Sequence, residues 1–274
     1  MKWLRDIQGD DLAPHPEDDL SFLVHLAENP LAPDDWIVRH GYNCGDTLCI
    51  PGFVGHPKWM PGGDAYHKSV RKGRLLAREL PHSILGRYFR GRPDDECIPH
   101  FPRIEDAVDE FCREEEARST EFKAALDRVR DPSCLTIHFR LGDFGICAPR
   151  YAEMKRVILR LLPRYASVVV LTGLHSQTFT PLETTRQITL DGLAFLKDLR
   201  KDNIFFCGKN RADESVALMR EASHLLVSYG GFSLLGTMIT KGQIYATRHI
   251  LWIQQGDQGA RWIEAMTHKP LTLL

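Results

Sequence analysis

The chain lacks the features that mark several large classes of protein. Its 35 Lys and Arg residues are balanced by 36 Asp and Glu residues, so the net charge of -1 gives no general attraction to nucleic acid or anionic lipid. It also lacks a long uninterrupted apolar run: the most apolar stretch, 223–240, is broken by His224, Tyr229 and Gly230. No signal-like segment opens the sequence. We therefore expect a cytoplasmic protein that binds neither nucleic acid nor membrane.

Cysteine pairs are missing as well. The seven cysteines are odd in number and form no C-x-x-C motif, which argues against a disulfide framework and favours a reducing compartment. Hydrophobic residues make up 43% of the chain and charged residues 26%, as in ordinary globular proteins. The length of 274 residues suits one large domain or two smaller ones.

The first hundred residues are rich in proline and glycine and predict few regular elements. A short strand is predicted over 36–39, and a helix over 65–80 that Asp64 can cap and Pro81 ends. Apolar residues at helical spacing predict one long helix over 104–129.

After Pro132 the pattern changes to an alternation of strands and helices. Short β-rich runs are predicted as strands over 134–140, 167–172, 203–207, 224–228 and 249–253. Helices are predicted over 150–162, 191–201, 212–222, 232–241 and 258–267. This alternation predicts an α/β fold with a doubly wound parallel sheet and helices on both faces, in which ligands bind beyond the carboxyl ends of the strands.

Two of those strand ends carry residues suited to a phosphate. Arg140 leaves the first strand and is followed by Gly142 and Asp143, so a guanidinium fork and a carboxylate that can orient it meet at one strand end. The alternative is an ion pair that only closes a turn. The fourth strand runs into Gly230, Gly231 and the start of a helix, where backbone N–H groups and the helix dipole favour an anion.

Such a glycine turn can also serve only to reverse the chain. Because loops after strands one and four of a doubly wound sheet can converge on one cleft, the two motifs together suggest a diphosphate clamp, to which Ser233 could add a hydroxyl.

Residues 138–143 read H-F-R-L-G-D, which resembles the signature of the α1,2-, α1,6- and protein-O-fucosyltransferases. Downstream, the acidic start of the helix at Asp213 and Glu214, the H-L-L-V-S strand and the Phe232-Ser233 pair resemble the same family's pattern. The resemblance covers about residues 134–242.

The resemblance implies a GT-B fold with two lobes. Residues 1–130 would form the acceptor lobe and 131–260 the nucleotide-sugar lobe, with a helix or tail over 261–274 packing at their junction. It implies an inverting glycosyltransferase that moves fucose from GDP-fucose to a hydroxyl of a glycan or protein. No D-x-D motif is present, so no metal is expected.

The resemblance also assigns roles to individual residues. Arg140 would neutralise the β-phosphate as it leaves, and Asp143 would hold Arg140. Gly230, Gly231, Phe232 and Ser233 would cradle the diphosphate, and His138 and Gly142 would flank the nucleotide. Asp213 or Glu214 would reach the base or Arg140.

The N-terminal lobe is expected to supply the remaining groups. The family's G-x-x-N-Q loop has its nearest counterpart at Gly41 to Asp46, which makes Asn43 a candidate contact to the donor. Asp46, His56 and Asp64 are candidate general bases that the sequence does not rank.

The chain departs from the family at several positions. Leu141 stands where the family has a second arginine, Gly230-Gly231 replaces a hydroxyl-bearing pair, and Gly173-Leu174-His175 replaces Ser-Asp-Asp. These departures leave open a UDP-sugar such as UDP-xylose, and also a catalytically silent nucleotide- or glycan-binding module. Oligomeric state is left open too.

Overall fold

The structure is a computed structural model that describes residues 78, 81–91, 101–142, 148–175, 182–199, 203–207, 212–228, 231–247 and 271–274. Its helices are α1 (Ile84–Phe89), α2 (Phe101–Arg118), α3 (Thr120–Arg130), α4 (Ala148–Leu161), α5 (Leu182–Lys197), α6 (Ala212–Glu221) and α7 (Gly231–Ile239), with a 3₁₀ helix at Leu162–Arg164. Its strands are β1 (Cys134–Gly142), β2 (Ser167–His175), β3 (Ile204–Cys207), β4 (His224–Val227), β5 (Gln243–Ala246) and β6 (Leu271–Leu273).

The six strands form one parallel sheet in the order β3-β2-β1-β4-β5-β6. β1 pairs with β2 along its whole length, from Cys134 opposite Ser167 to Gly142 opposite His175. On its other side β1 pairs with β4, where His138 lies opposite Val227. From β1 the chain adds β2 and β3 on one side of β1, and then β4, β5 and β6 on the other side. The topological switch point therefore lies between β1 and β4, and ligands of open α/β sheets bind at such a point.

The central strands are apolar on both faces, as expected of a parallel sheet covered on both sides. Val168, Val170 and Leu171 are fully buried in β2, as are Leu225 and Leu226 in β4.

Neighbouring residues of β1 show which helices cover the two faces. The Phe139 ring lies 6.3 Å from Phe195 of α5, whereas the His138 ring lies 5.2 Å from Phe232 of α7. Because successive side chains of a strand point to opposite faces, α5 and α7 cover opposite faces of the sheet.

The predicted long helix over 104–129 is wrong, because Ser119 divides it into α2 and α3. Ser119 has an extended backbone, with φ -122° and ψ 114°, and its Oγ accepts a hydrogen bond of 3.1 Å from the N–H of Phe122. A side chain that satisfies a free N–H of the next helix is an N-cap, so α3 starts anew at Thr120.

Ion pairs attach α1 and α2 to the rest of the protein. Arg220 of α6 is buried and holds Asp109 of α2 with two hydrogen bonds of 3.1 Å, and Glu105 with one of 2.6 Å. Arg87 of α1 is also buried, and its guanidinium donates two hydrogen bonds of 3.0 and 2.8 Å to the carboxylate of Glu114 of α2. Paired forks of this kind fix orientation as well as distance, so α2 is fixed between α1 and α6.

Most predicted elements after Pro132 are confirmed within one to three residues. These are the first four strands and the helices over 150–162, 212–222 and 232–241. The helix predicted over 191–201 is misplaced at both ends, since α5 spans Leu182–Lys197. The predicted strand at 249–253 and the helix at 258–267 lie outside the described residues, as do the strand at 36–39 and all but Arg78 of the helix at 65–80.

Two further strands were not predicted, β5 and β6. The tail predicted over 261–274 includes β6, which pairs with β5 from Leu271 opposite Ile244 to Leu273 opposite Ala246. The end of the chain thus belongs to the sheet. The division into two lobes at residue 130 stays a prediction, although α2 and α3, placed in the N-terminal lobe, pack on α6.

Candidate functional site

The candidate site lies where the carboxyl ends of β1 and β4 meet. The N–H of Ser228, directly after β4, donates to the carbonyl oxygen of His138 at 3.0 Å. The N–H of Arg140 in turn donates to Ser228 Oγ at 3.2 Å. These two bonds extend the pairing of β1 and β4 to the carboxyl ends of the two strands. They also fix the backbone of Arg140 beside the end of β4.

A third hydrogen bond fixes β1 from the side of β2. Thr172 of β2 donates from Oγ1 to the carbonyl oxygen of Phe139 at 2.7 Å, and both residues are buried. The peptide group between Phe139 and Arg140 is therefore held at both ends. Its carbonyl oxygen accepts from β2, and its N–H donates to Ser228, the residue after β4. The Arg140 side chain leaves this fixed backbone in a half-buried position.

Helix α7 begins at the same edge. It opens at Gly231, runs for nine residues and carries no acidic residue in its first turn. Its free N–H groups and the positive end of its dipole are therefore not neutralised by its own side chains, and both favour an anion.

His138 and two serines form a buried polar cluster beneath this edge. His138 Nδ1 lies 2.7 Å from Ser233 Oγ and 3.4 Å from Ser228 Oγ, and the two hydroxyl oxygens are 3.3 Å apart. All three residues are at most 5% exposed. The cluster joins β1, the end of β4 and the first turn of α7.

The imidazole of His138 is neutral. Burial, together with the nearby charge of Arg140, lowers the pKa of His138 from its ordinary 6.5 to about 3. The ring is therefore available as a hydrogen-bond acceptor at one nitrogen throughout the physiological pH range.

Asp213 occupies the first turn of α6, after β3. It is buried, accepts a hydrogen bond from the backbone N–H of Ile84, and its Oδ1 has no hydrogen-bond partner. Burial, against the lowering effect of the Ile84 N–H and with a smaller contribution from the charge of Glu214, raises the pKa of Asp213 from 3.8 to about 8. Asp213 is thus a buried carboxyl at the start of α6 and in contact with the start of α1.

The structure brings together only part of the predicted set. Arg140, Gly142, His138, Gly231, Phe232 and Ser233 gather at the ends of β1 and β4. Asp213 and Glu214 begin α6, with Asp213 bonded to Ile84. Asn43, Asp46, His56, Asp64, Asp143 and Gly230 lie outside the described residues.

Comparison with protein-family models, with curated proteins and with solved structures finds no match to this chain. The resemblance to the fucosyltransferases therefore stays a prediction, and it rests on the motif residues alone.

Sequence reasoning missed Ser228 and Thr172 as parts of the site. Each is a hydroxyl residue that directly follows an apolar run, 168–171 for Thr172 and 225–227 for Ser228, and this position was the available signal. Their partners, the N–H of Arg140 and the carbonyl of Phe139, lie 88 and 33 residues away, so the hydrogen bonds themselves could not be read from the sequence.

Within the described residues, no three His, Cys, Asp or Glu side chains are grouped so as to hold a metal ion. The helices of that same part of the chain include none with the length and hydropathy needed to cross a membrane.

Proposed function

We propose that the protein is an inverting glycosyltransferase of GT-B architecture that uses a nucleoside-diphosphate sugar, with GDP-fucose as the favoured donor and a hydroxyl of a glycan or protein as acceptor. The observation that carries this proposal is the position of Arg140 beside the end of β4, where its backbone N–H donates to Ser228 Oγ at 3.2 Å, three residues before α7 begins. A cation on one strand end and a helix N-terminus on its neighbour form two sides of a diphosphate site.

The chemistry follows from where negative charge grows. As the bond between the anomeric carbon and the β-phosphate oxygen breaks, the leaving nucleoside diphosphate gains charge on its terminal phosphate. A guanidinium held in place before the reaction stabilises that charge without having to reorganise. Arg140 is our candidate for this group because its backbone is held from both neighbouring strands, which gives its side chain a fixed point of attachment.

The start of α7 would bind the other face of the diphosphate. Its first-turn N–H groups donate to phosphate oxygens, and the absence of a side chain at Gly231 lets the backbone approach closely. Inversion then requires the acceptor hydroxyl to attack from the side opposite the leaving phosphate. Its proton would pass to a general base from the N-terminal lobe, for which Asp46, His56 and Asp64 are the candidates.

Asp213 and Glu214 bear on the choice of base. The resemblance places one of them at the base of the donor, and guanine offers two adjacent N–H donors to a carboxyl oxygen there. On this ground we place GDP-sugars ahead of UDP-sugars.

A panel of GDP- and UDP-sugars tests the proposal directly. Wild-type protein is incubated with each donor, with and without excess EDTA, and the released nucleotide is measured. We expect release from GDP-fucose above all others, unchanged by EDTA. Loss of turnover with EDTA that manganese restores would assign the charge stabilisation to a metal. Binding of a nucleotide without release or transfer would identify a silent binding module.

A further inference from the structure

His138 stands at the centre of the candidate site, yet its side chain points away from solvent. It precedes Arg140 by two positions on β1, so the two side chains belong to the same face of the sheet. The His138 residue is only 5% exposed, and its ring packs 5.2 Å from that of Phe232. The two residues of the H-x-R motif therefore occupy different environments, one buried and one half-exposed.

The hydrogen bonds around His138 are compatible with one consistent direction. Arg140 N–H donates to Ser228 Oγ at 3.2 Å, the Ser228 hydroxyl lies 3.3 Å from Ser233 Oγ, and Ser233 Oγ lies 2.7 Å from His138 Nδ1. If each hydroxyl donates to the next group, the chain ends on the lone pair of Nδ1, and the ring proton sits on Nε2. A protonated ring has no lone pair, so it could not end such a chain.

We propose that His138 is a positioning residue that acts through Ser233, holding the first turn of α7 at the distance from Arg140 that a diphosphate requires. This inference rests on the proposed function and changes the role of His138 from a neighbour of the nucleotide to a support beneath its binding groups. Ser233 is then the link between imidazole and helix.

The geometry explains why such a support is needed. Phe232 and Ser233 belong to the first turn of α7, whereas Arg140 belongs to β1, and His138 and Ser233, which join the two elements, are 95 residues apart in sequence. Groups that act on one anion must be placed to a fraction of an ångström, which demands side chains that are themselves locked by packing and hydrogen bonds. The buried bond between His138 and Ser233 crosses that gap directly.

The test compares substitutions that keep or remove the acceptor at Nδ1. His138→Asn places an amide atom close to the Nδ1 position, while His138→Leu keeps bulk and removes the acceptor. Ser233→Ala removes only the linking hydroxyl and carries the test if the leucine variant does not fold. The control is Thr136→Val on the same strand, since Thr136 is buried and its Oγ1 has no hydrogen-bond partner.

The main readout is the Kd of GDP measured by calorimetry on folded protein. We expect His138→Leu and Ser233→Ala each to weaken binding by about 10- to 100-fold, as misplacement of binding groups does. The double variant should lose little more than either single one, because both break the same link. His138→Asn should recover at least half of the loss on a logarithmic scale, and Thr136→Val should bind as wild type does.

Nitrogen-15 NMR of the histidines gives a readout that does not depend on nucleotide binding. We expect an unprotonated Nδ1 and a protonated Nε2 on His138. A protonated Nδ1 at neutral pH contradicts the proposal, and so does wild-type GDP affinity in folded His138→Leu or Ser233→Ala. Wild-type protein that binds neither GDP nor UDP overturns the proposed function, and the positioning role with it. Wild-type binding combined with unaffected variants overturns the positioning role alone.

Discussion

Asp213 keeps a carboxyl group in a place where it costs stability. Its pKa rises from an ordinary 3.8 to about 8 because burial disfavours the charged form and Glu214 adds repulsion, against one stabilising N–H from Ile84. Between these two pKa values the unfolded chain has lost a proton that the folded protein retains. The free energy of unfolding therefore falls as pH rises from about 4 to 8 and levels off above about 8.

The first prediction concerns Asp213→Asn, which keeps an acceptor for the N–H of Ile84 and cannot ionise. At about pH 8 the variant should be more stable than wild type by about 1–3 kcal/mol, the usual cost of a poorly satisfied buried polar group, and at about pH 4 the difference should vanish. Urea unfolding at both pH values measures this. The matched control is Asp106→Asn, since Asp106 is exposed on α2. An equal pH dependence in wild type and Asp213→Asn would place the titration on another group.

The second prediction concerns Arg140. Arg140→Ala should lower turnover of the correct nucleoside-diphosphate sugar by about 10²-fold or more with the fold intact, because it removes a preorganised donor to a developing anion. Arg140→Lys should also fail, since a single ammonium does not replace a planar fork. Steady-state kinetics with circular dichroism checks both. Arg156→Ala, at an exposed position of α4, is the control. Near-normal turnover in folded Arg140→Ala would remove Arg140 from the mechanism.

The position of Arg140 could be predicted from sequence, whereas the contact of His138 with Ser233 could not. An apolar run that ends in Arg and Gly predicts a strand with the arginine at its carboxyl end, and β1 has this form. His138 lies inside that run, where a buried histidine usually means only packing. Its partner Ser233 is 95 residues away, a separation that single-sequence patterns do not span.

At the scale of elements, strands that contain a continuous apolar run bounded by polar residues were predictable and the others were not. β2 has four consecutive apolar positions and β4 has three. β6 has three residues directly after Pro270, and pairing with β5 rather than its own pattern makes it a strand. The break at Ser119 was missed because serine is tolerated within a helix and becomes a cap only when the backbone turns.

The third prediction compares two glycines in turns. Gly242 precedes β5, and a Cβ there would lie 2.2 Å from the carbonyl oxygens of both Ala222 and Ser223. Because these are backbone atoms, Gly242→Ala must displace β5 from the start of β4, and we expect a loss of about 2–3 kcal/mol. Gly91 has φ +69° with no atom within 4 Å of an added Cβ, so Gly91→Ala should cost about 1 kcal/mol from backbone strain alone.

Chemical denaturation measures both variants, and Gly91→Asn separates the two causes. Asparagine tolerates a positive φ, so it should recover part of the loss seen with Gly91→Ala. If Gly242→Ala is as stable as wild type, the backbone at Gly242 must lie farther from the carbonyl oxygens of Ala222 and Ser223 than we describe.

At the scale of the whole molecule, the parallel sheet was predictable, but its strands β5 and β6 and the ion pairs between α2 and α6 were not. Alternating strands and helices after Pro132 require crossover connections, and these give a parallel sheet. The strand order places β1 beside β4, which is what the predicted convergence of the loops after these two strands requires. The contacts of Arg220 with Asp109 and Glu105 depend on the packing of α2 on α6, which no local pattern encodes.

The last prediction tests whether this sheet order places the donor. If a nucleoside diphosphate lies across the carboxyl ends of β1 and β4, its phosphates approach the backbone at the start of α7, and a branched side chain at Gly231 obstructs them. Gly231→Val should weaken the affinity for GDP by about tenfold or more, a loss of about 1.4 kcal/mol per factor of ten. Calorimetric titration with GDP and UDP measures it. Ala194→Val, at an exposed position of α5, controls for the added side chain. If Arg140 and Asp143 form only an ion pair that closes a turn, Gly231→Val changes thermal stability and leaves the affinity for GDP and UDP unaltered. The donor site then lies away from the β1–β4 junction.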